Sequence, residues 1–456
     1  MRLYSRKLLI ILICLTLIFF PPFFSQFQGT GRTSDLATNN EEWGRIANSQ
    51  YQNQKIITAL FFAGPPNPNS LPLYTRHPKN AAQLDWSSDA DIDFAMNQMR
   101  NIGLNVIKVS YWGHQGETDS WCPSLLFSKY DWSNRDIILN ETEIVNRANH
   151  CFNKANENDL LFAPMLEVSS AFPFYIEFPT DLTNMIQRIT WLLTNFGNQP
   201  NWLKVYDKNG EERIAFFLIE TIHLGTIDPT VFAQGFDTVA SQIESNTGYK
   251  IGFIIDPTPL PAYGSTEGPT PETLANINSI LAVNPFNIFS QGASGNPEPN
   301  VTESDRIDYA ESIVSYWTNT SLPFIIPFLP GYDAHIVFPS FETYGFTDNW
   351  LTNQKNRLIS YPNVGVSFDC WNGYTEGYAI VPTIEDNERI YDWAYSIVSV
   401  ISPTAVSSTT VSSTGVSESI SSSNGIFGFE LSTIIIIFIM LGYLKNSKKK
   451  KSYSQR

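Results

Sequence analysis

The stretch Val364–Thr383 reads V-G-V-S-F-D-C-W-N-G-Y-T-E-G-Y-A-I-V-P-T. It begins with a short apolar run, which is the pattern of a strand buried on both faces. Two carboxylates, Asp369 and Glu376, follow among the rings of Trp371 and Tyr374. Carboxylates beside aromatic rings just past a buried strand are typical of a sugar-binding or glycosidase pocket. A strand followed by an ordinary polar turn is the alternative.

Apolar strands alternate with amphipathic helices over the main domain, residues 53–402. Strands are predicted at 56–62, 104–111, 160–168, 213–220, 251–256, 286–290, 323–329 and 364–368. Helices are predicted at 89–102, 141–157, 182–195, 231–245, 271–277, 305–318, 349–360 and 385–400. Eight such units of continuous apolar strands predict an α/β fold, the (β/α)8 TIM barrel. An open doubly wound sheet is the alternative, but no Gly-rich phosphate turn follows the first strand.

Both ends of the chain carry targeting patterns. Residues 1–24 combine a basic start with an apolar run, the layout of a secretory signal peptide or signal anchor, and residues 25–52 follow as a linker. Residues 403–424 form a Ser/Thr-rich stalk. Residues 425–445 are predicted as a transmembrane helix, and the basic tail 446–456 favours the cytoplasmic side. We therefore predict a cell-membrane protein with a single C-terminal anchor and an extracellular main domain.

Outside its basic ends the chain is strongly acidic. Residues 25–424 hold 43 acidic and 20 basic residues, so this part carries a net charge near −23. Such a surface argues against a nucleic-acid partner, because phosphate backbones are bound by Lys and Arg. Sequons at Asn140, Asn300 and Asn319 agree with an extracellular, glycosylated domain.

Metal and disulfide sites receive little support from the sequence. No C-x-x-C spacing occurs, which argues against structural zinc. His114 and His223, with a strand-end glutamate, are an alternative metal site, but a histidine at a loop start more often makes ordinary hydrogen bonds. We therefore predict no metal and no cofactor. A disulfide between Cys122 and Cys151 is left open for an oxidising compartment.

Polar residues follow most of the predicted strands, at the end of the barrel where chemistry is usually found. Glycoside hydrolysis needs one carboxylic acid to protonate the leaving oxygen and a second carboxylate as base or nucleophile. The candidate catalytic residues are Glu376, Asp369, Glu167 and Glu220, and Asp256 ends the fifth strand. The candidate substrate-binding residues are Tyr111, Trp112, His114, Tyr332, Asp333, Trp371, Asn372 and Tyr374.

Five segments together carry a family resemblance. They are N-V-I-K-V-S-Y-W-G (105–113), F-A-P-M-L-E-V (162–168), G-E-E-R-I-A-F-F-L-I-E (210–220), P-F-L-P-G-Y-D (327–333) and C-W-N-G-Y-T-E-G-Y-A-I-V-P (370–382). In this order they resemble segments of the family 99 glycoside hydrolases, the endo-α-mannosidases and endo-α-mannanases. The resemblance implies a TIM barrel and a carbohydrate substrate. It also implies Glu167 in the place of a sugar-binding glutamate, Tyr332 at the site and Asn372 as the motif asparagine.

The last segment is the most specific. The family reads S-F/W-N-E-W-x-E-G-x-x-I-E-P, and its second glutamate, the general acid/base, matches Glu376. Its first glutamate acts on the 2-hydroxyl of the sugar, and Gly373 stands in that position here. Glycine cannot accept a proton, so Asp369, Glu167 or Glu220 would have to supply the missing carboxylate. Alternatively, the substrate lacks an axial 2-hydroxyl, or the barrel binds glycan without cleaving it.

These observations predict a membrane-anchored extracellular glycosidase that acts on polysaccharide or glycan, such as an α-mannoside. The main alternative is a non-catalytic surface glycan-binding barrel. A structural envelope protein and a metal-assisted hydrolase are the other hypotheses.

Overall fold

A computed structural model describes residues 41–62, 74–80, 88–111, 126, 127, 129, 137–167, 182–219, 229–256, 270–286, 288, 289, 301–337, 339 and 343–402. The strands are β1 (Ile56–Phe61), β2 (Val106–Tyr111), β3 (Leu161–Glu167), β4 (Lys204–Tyr206), β5 (Glu212–Ile219), β6 (Ile251–Ile255), β7 (Ile280–Val283), β8 (Ile325–Phe328), β9 (Gly331–Tyr332), β10 (Tyr344–Gly345) and β11 (Gly365–Phe368). The helices are α1 (Asp89–Asn101), α2 (Glu141–Glu157), α3 (Thr183–Phe196), α4 (Pro229–Thr247), α5 (Pro271–Asn276), α6 (Glu303–Thr318), α7 (Asp348–Leu358) and α8 (Arg389–Ile401).

Eight of these strands form one sheet in which adjacent strands are parallel. The strands β1, β2, β3, β5, β6 and β7 succeed one another around the sheet, while β1 also pairs with β11 and β11 with β8. Between β7 and β8, a parallel bridge joins Val283 to Phe324, and the Val283 N–H donates to the Pro323 carbonyl at 2.8 Å. The strands thus form a nearly closed barrel with helices between them. The predicted (β/α)8 architecture is confirmed.

The helices begin and pack as their sequences dictate. At the start of α2, the Asn140 side chain accepts from the Glu143 N–H while the Glu143 carboxylate accepts from the Asn140 N–H, which is a capping box. The same helix then buries its apolar face against the outside of the barrel. Its Phe152 ring lies 4.0 Å from that of Phe162 on β3, between the ring centroids. These side chains occupy the layer between strands and helices, which leaves the strand ends free for a site.

The sixth barrel strand differs from its predicted position. We expect it at residues 286–290, whereas the strand is Ile280–Val283, which pairs with Phe253–Ile255 of β6. Phe286 lies beyond the strand, and its N–H donates to the Asp256 carboxylate at 3.2 Å. The run I-L-A-V is only four residues long and follows a six-residue helix. Its pattern is therefore too short to separate from a helix end, and the aromatic segment after it carries the stronger apolar signal.

Some further elements depart from the predicted alternation. The strand β4 pairs antiparallel with β5, and β9 with β10 forms a two-residue ladder beyond β8. The last helix begins at Arg389 rather than at residue 385, because a bridge between Thr383 and Asn387 closes a turn there. Cys151 is a free, buried thiol whose pKa burial raises to about 12. Cys122, its possible partner, lies outside the described residues.

The predicted terminal segments also lie outside the described residues. They are the apolar N-terminal segment 1–24, the stalk 403–424, the transmembrane helix 425–445 and the basic tail 446–456. Within the described ranges, no helix has both the length and the apolarity that crossing a bilayer requires.

Candidate active site

Glu376 lies in the loop that follows β11, at the end of the barrel where the strands finish. Its backbone carbonyl accepts from the Asp333 N–H at 2.9 Å, which joins this loop to the segment after β8. Its Oε1 accepts from the Tyr332 hydroxyl at 3.0 Å, and its Oε2 accepts from the Tyr378 hydroxyl at 2.7 Å. The carboxyl group is thus partly shielded from solvent and bound by one phenol at each oxygen.

Opposing influences set the ionisation of Glu376. Burial removes water from the carboxylate and raises its pKa, whereas the hydrogen bonds from Tyr378 and Tyr332 lower the pKa by less. The pKa of Glu376 therefore lies above its ordinary value. Burial and the neighbouring carboxylate also raise the pKa of both tyrosines, so their hydroxyls remain protonated donors. A carboxyl group with a raised pKa is what general acid catalysis near neutral pH requires.

Tyr332 is the middle ring of a stack of three tyrosines. Its ring centroid lies 5.9 Å from that of Tyr344 and 6.0 Å from that of Tyr378, with interplanar angles of 22° and 15°. Tyr344 pairs with Tyr332 across β9 and β10, and the guanidinium of Arg306 lies over the Tyr344 ring at 4.2 Å from its centroid. Ring packing therefore fixes the direction in which the Tyr332 phenol reaches Glu376.

Gly373 is in contact with the Tyr378 ring. A Cβ atom built on Gly373 would lie 3.0 Å from Tyr378 Cε2, 3.1 Å from Tyr378 Cδ2 and 3.2 Å from Cys370 Sγ. A side chain at this position would therefore require the ring whose hydroxyl binds Glu376 to shift by a few tenths of an ångström. The glutamate that the family resemblance implies at this position is therefore replaced by a glycine whose space the Tyr378 ring uses.

A second polar cluster lies inside the barrel. Lys108 of β2 is 2% exposed, and its Nζ donates to Ser367 Oγ of β11 at 2.8 Å and lies 3.5 Å from Asn284 Oδ1 after β7. Asp369, two residues beyond Ser367, is also 2% exposed. The cluster joins side chains from three parts of the barrel sheet, which places a lysine and a carboxylate in its interior.

Charges in this cluster act on Lys108. Burial lowers the pKa of Lys108 to about 8, and the negative charge of Asp369 is the strongest influence in the opposite direction. Asp256 acts in the same sense as Asp369. Burial raises the pKa of the Cys370 thiol, so Cys370 stays neutral near neutral pH and adds no charge there. Lys108 is therefore protonated at neutral pH and faces buried carboxylates.

Two of the predicted sugar-binding residues connect the β11 loop to neighbouring elements. Asn372 Oδ1 accepts from the Phe62 N–H and its Nδ2 donates to the Phe62 carbonyl, each at 3.0 Å, so this side chain ties the end of β1 to the β11 loop. Trp371 is 2% exposed, and its ring meets Tyr391 of α8 with centroids 6.4 Å apart.

Two other predicted binding tyrosines, Tyr111 and Tyr374, are buried. Tyr111 is fully buried, and its hydroxyl donates to the Arg188 carbonyl of α3 at 3.4 Å, on the helix side of β2. Tyr374 is buried with its ring 5.3 Å from that of Tyr74, between centroids. Burial raises the pKa of Tyr374 well above its ordinary value, so its hydroxyl is neutral.

Asp333 belongs to a network of charges next to the site. Its carboxylate accepts from Arg76 at 3.2 Å, from the His335 ring at 2.5 Å and from the Thr343 hydroxyl at 3.0 Å. Burial acts to raise the pKa of Asp333, but the hydrogen bonds from His335 and Thr343 outweigh it and the pKa is lowered. Arg76 also binds Asp386 at 3.0 Å. The ionised Asp333 carboxylate and Asp386 thus anchor the segment after β1 through Arg76.

The structure does not describe the side chains of the remaining predicted site residues. Glu167 is the last residue of β3, where its backbone pairs with Ile219 of β5. Glu220, Trp112, His114 and His223 lie outside the described residues. In the described part of the chain, no group of three His, Cys, Asp or Glu side chains is placed to hold a metal ion.

Lys108, Tyr378 and Tyr344 are the site residues that sequence reasoning missed. Lys108 had a signal, because a lysine inside the apolar run V-I-K-V has the same inward position as its alternate neighbours in a buried strand. Tyr378 lies within the quoted motif two residues after Glu376, but nothing in the sequence indicates that its hydroxyl turns back to that carboxylate. Tyr344 comes from a short ladder that has no sequence pattern.

No protein-family model and no curated protein matches the chain. Solved structures similar to it include the GH99 endo-α-mannosidase from Bacteroides thetaiotaomicron, with 15% identity, coverage of 77% of this chain and 99% of that chain, and a TM-score of 0.48. An exo-β-1,4-mannosidase from Opitutaceae bacterium strain TAV5 shows 11% identity, 81% and 63% coverage, and a TM-score of 0.49. An endo-β-1,4-glucanase from Xanthomonas axonopodis pv. citri shows 11% identity, 76% and 99% coverage, and a TM-score of 0.47. Family 99 is thus represented among the structures to which this chain is similar.

Proposed function

We propose that this chain is a glycoside hydrolase in which Glu376 is the general acid/base. The observation that carries the proposal is the Glu376 carboxyl group, held between two phenols at the strand ends with a raised pKa. A raised pKa keeps a carboxyl group protonated to higher pH, and the protonated group can donate its proton to the glycosidic oxygen as the bond breaks. A second carboxylate then acts as nucleophile or activates water, and Asp369, Glu167 and Glu220 are its candidates.

The proposed substrate is a neutral glycan, with α-mannosides as the first to test. The resemblance of segments 105–113 and 370–382 to endo-α-mannosidases and endo-α-mannanases supports a mannoside. The charge near −23 over residues 25–424 supports a neutral rather than an acidic polysaccharide, because like charges repel during encounter.

The decisive experiment measures the release of reducing ends from yeast α-mannan by the full-length protein. We expect Glu376→Gln to lower the rate by roughly 10²- to 10⁴-fold, because the amide cannot donate the proton. Glu244→Gln, an exposed substitution on α4, is the matched control and should keep the wild-type rate. Equal rates for the wild type and Glu376→Gln would exclude Glu376 as the acid/base.

A non-catalytic glycan-binding barrel is the second candidate function. The observation that favours it is Gly373, which removes the carboxylate that the family resemblance implies and whose space the Tyr378 ring uses. Saturable binding of mannan by the full-length protein, without any release of reducing ends from a wider panel of neutral polysaccharides, would establish this function instead of hydrolysis.

We further propose that the chain is held at the cell membrane by residues 425–445, with the main domain outside. The apolar segment, its basic tail and the sequons support this topology. After alkaline carbonate extraction, the full-length chain should stay with the membrane, and a chain that ends at Ser402 should lose the C-terminal contribution to retention. Cleavage of N-linked glycans from Asn140 or Asn319 would report the extracellular side.

A further inference from the structure

The second carboxylate of the proposed reaction is unassigned, because Gly373 replaces the residue that the family resemblance implies. Of its three candidates, Asp369 is the one whose side chain the structure describes. The Asp369 N–H donates to the Phe328 carbonyl at 3.0 Å, which continues the ladder between β11 and β8. Asp369 therefore follows β11 directly, two residues before the Trp371 that begins the loop of Glu376.

A buried carboxylate can serve as base or nucleophile only if it remains ionised, and burial opposes ionisation. The interior of this barrel contains a compensating charge. Lys108 Nζ is anchored by Ser367 Oγ at 2.8 Å on β11, and the buried Asp369 follows two residues later, directly after that strand. The rings of Phe217 and Phe286 lie 5.2 and 5.8 Å from the ammonium, between Nζ and the ring centroids.

We propose that Lys108 is a positioning residue that keeps Asp369 ionised, and that Asp369 is the second carboxylate of the reaction. The inference rests on the proposed function, since it assigns a role within the same site. Lys108 does not touch the sugar. Its ammonium acts through Asp369.

The electrostatic argument is reciprocal. Asp369 favours the charged form of Lys108 more than any other described group, so the Lys108 ammonium favours the charged form of Asp369 by the same interaction free energy. Asp256 is the other carboxylate that acts on Lys108, and part of its charge is already met by the Phe286 N–H at 3.2 Å. Ser367 and Asn284 are neutral acceptors, and the Cys370 thiol stays protonated.

The chemistry balances with these groups alone. If Asp369 acts as a base, it accepts a proton from water while the water oxygen bonds to the anomeric carbon, and the leaving sugar oxygen takes the proton of Glu376. If Asp369 acts as a nucleophile, its oxygen forms that bond, and Glu376 later accepts a proton from the water that displaces it. Both routes begin with an ionised Asp369 and a protonated Glu376.

The test compares the pH dependence of kcat/KM on yeast α-mannan for the full-length wild type and Lys108→Met. Methionine keeps an unbranched side chain one atom shorter and removes the charge. Without the ammonium, Asp369 becomes protonated at higher pH, so the acidic limb of the profile should move upward by about one pH unit or more. At pH values on that limb, activity should fall about tenfold, whereas the alkaline limb that reports Glu376 should move less.

Two further variants separate this role from a general structural defect. Lys154→Met removes another lysine of low exposure, which pairs with Asp93 and Glu157 on α1 and α2, and it should leave the acidic limb unchanged. Ser367→Ala keeps Lys108 but removes its 2.8 Å acceptor, so the acidic limb should move in the same direction as in Lys108→Met by a smaller amount. This variant also serves if Lys108→Met does not fold.

The outcomes distinguish the two proposals. Hydrolysis with the same acidic limb in wild type, Lys108→Met and Ser367→Ala would overturn the role of Lys108 and leave the glycosidase assignment intact. No hydrolysis by the wild type would overturn the proposed function. In that case, urea unfolding decides whether the charges of Lys108 and Asp369 are coupled. The proteins compared are the wild type, Lys108→Met, Asp369→Asn and the double variant, and additive effects on the unfolding midpoint would contradict the pairing.

Discussion

At Glu376, loss of water and hydrogen bonding act on one carboxyl group in opposite directions. Burial raises its pKa, and the phenols of Tyr378 and Tyr332 lower it by less. The phenols thus moderate the upward shift, so they hold the carboxyl group less firmly in its protonated form than burial alone would. An acid/base residue needs this intermediate position, because it has to release the proton and take it back.

Removal of one phenol should move the pKa of Glu376 further up. In Tyr378→Phe the ionised carboxylate loses a 2.7 Å donor, so the alkaline limb of kcat/KM on α-mannan should shift to higher pH by about one unit. Tyr361→Phe is the matched control, because its phenol donates at 3.1 Å to Glu311, a carboxylate far along the chain from the site. A downward shift in Tyr378→Phe would contradict the assignment of Glu376 as the acid.

The contact between Gly373 and Tyr378 also makes a prediction about stability. In Gly373→Ala, the new methyl group would lie 3.0 Å from the ring, so the ring has to move and the structure should lose about 1–3 kcal/mol of unfolding free energy. Urea unfolding measures this loss, and Thr375→Ala in the same loop is the control. If the ring is responsible, the cost should shrink when Tyr378 is first replaced by leucine.

The sequence predicted the positions of some site residues but not of others. Glu376 stands in a motif with fixed spacing, so its place at the strand ends was predictable from the chain alone. Lys108 acts through Ser367 and Asp369, which are more than 250 positions away along the chain, and only the closed sheet brings them together. Asn372 is a predicted sugar-binding residue, and the structure adds that its side chain holds the Phe62 backbone, which is also more than 250 positions away.

Among the elements, the strands of the barrel are joined unequally. The strands β2 and β3 pair over six residues, from Val106 and Leu161 to Tyr111 and Leu166. In the described residues, β7 meets β8 through a bridge at Val283, and the register of β6 with β7 shifts at Phe253 and Ile254. The short strand β7 is therefore the place where the barrel wall has the fewest ladder bonds.

Hydrogen exchange should reveal this difference. We expect the amides of Ile280–Val283 to exchange at least about tenfold faster than those of β2, because local opening of the barrel wall at β7 breaks fewer hydrogen bonds. Exchange measured on the folded full-length protein by mass spectrometry, with peptides that cover β2 and β7, tests the expectation. Equal protection in the two peptides would show that β7 opens only together with the whole barrel.

The difference in strand length also explains which strands were predictable from the sequence. Long apolar runs such as those of β2, β3 and β5 were predicted close to their observed bounds. The four residues of β7 have no distinguishing period, and their assignment depends on pairing with β6 rather than on local pattern. The strand β4 exists because β5 offers an edge beyond the barrel, so it also depends on tertiary context.

For the molecule as a whole, the buried Lys108 links stability to pH. Its pKa is lowered from 10.5 to about 8 in the folded chain, so between these values the unfolded chain binds more protons than the folded chain. Stability that depends on Lys108 therefore rises as the pH increases from about 8 to about 10.5. Below pH 8 the lysine is charged in both states, and its full desolvation cost is present.

A comparison of unfolding free energies should show this dependence. From pH 7.5 to pH 10.5, the wild type should gain stability relative to Lys108→Met by up to about 3 kcal/mol, because the shift in the pKa of Lys108 is converted into unfolding free energy. Urea unfolding at fixed ionic strength measures the difference, and Lys154→Met should lack this rise. A difference that stays constant or falls over this range would contradict the lowered pKa of Lys108.

The close approach of Tyr378 to Gly373 has a consequence for how such a site changes during evolution. A glutamate at position 373 and a tyrosine ring at position 378 compete for the same volume, so one substitution alone creates a clash or leaves a gap. We expect a lineage that exchanges one arrangement for the other to alter both positions, because a change at one of them strains or loosens the contact. A homologue with a larger residue at position 373 is therefore expected to have a smaller one at position 378.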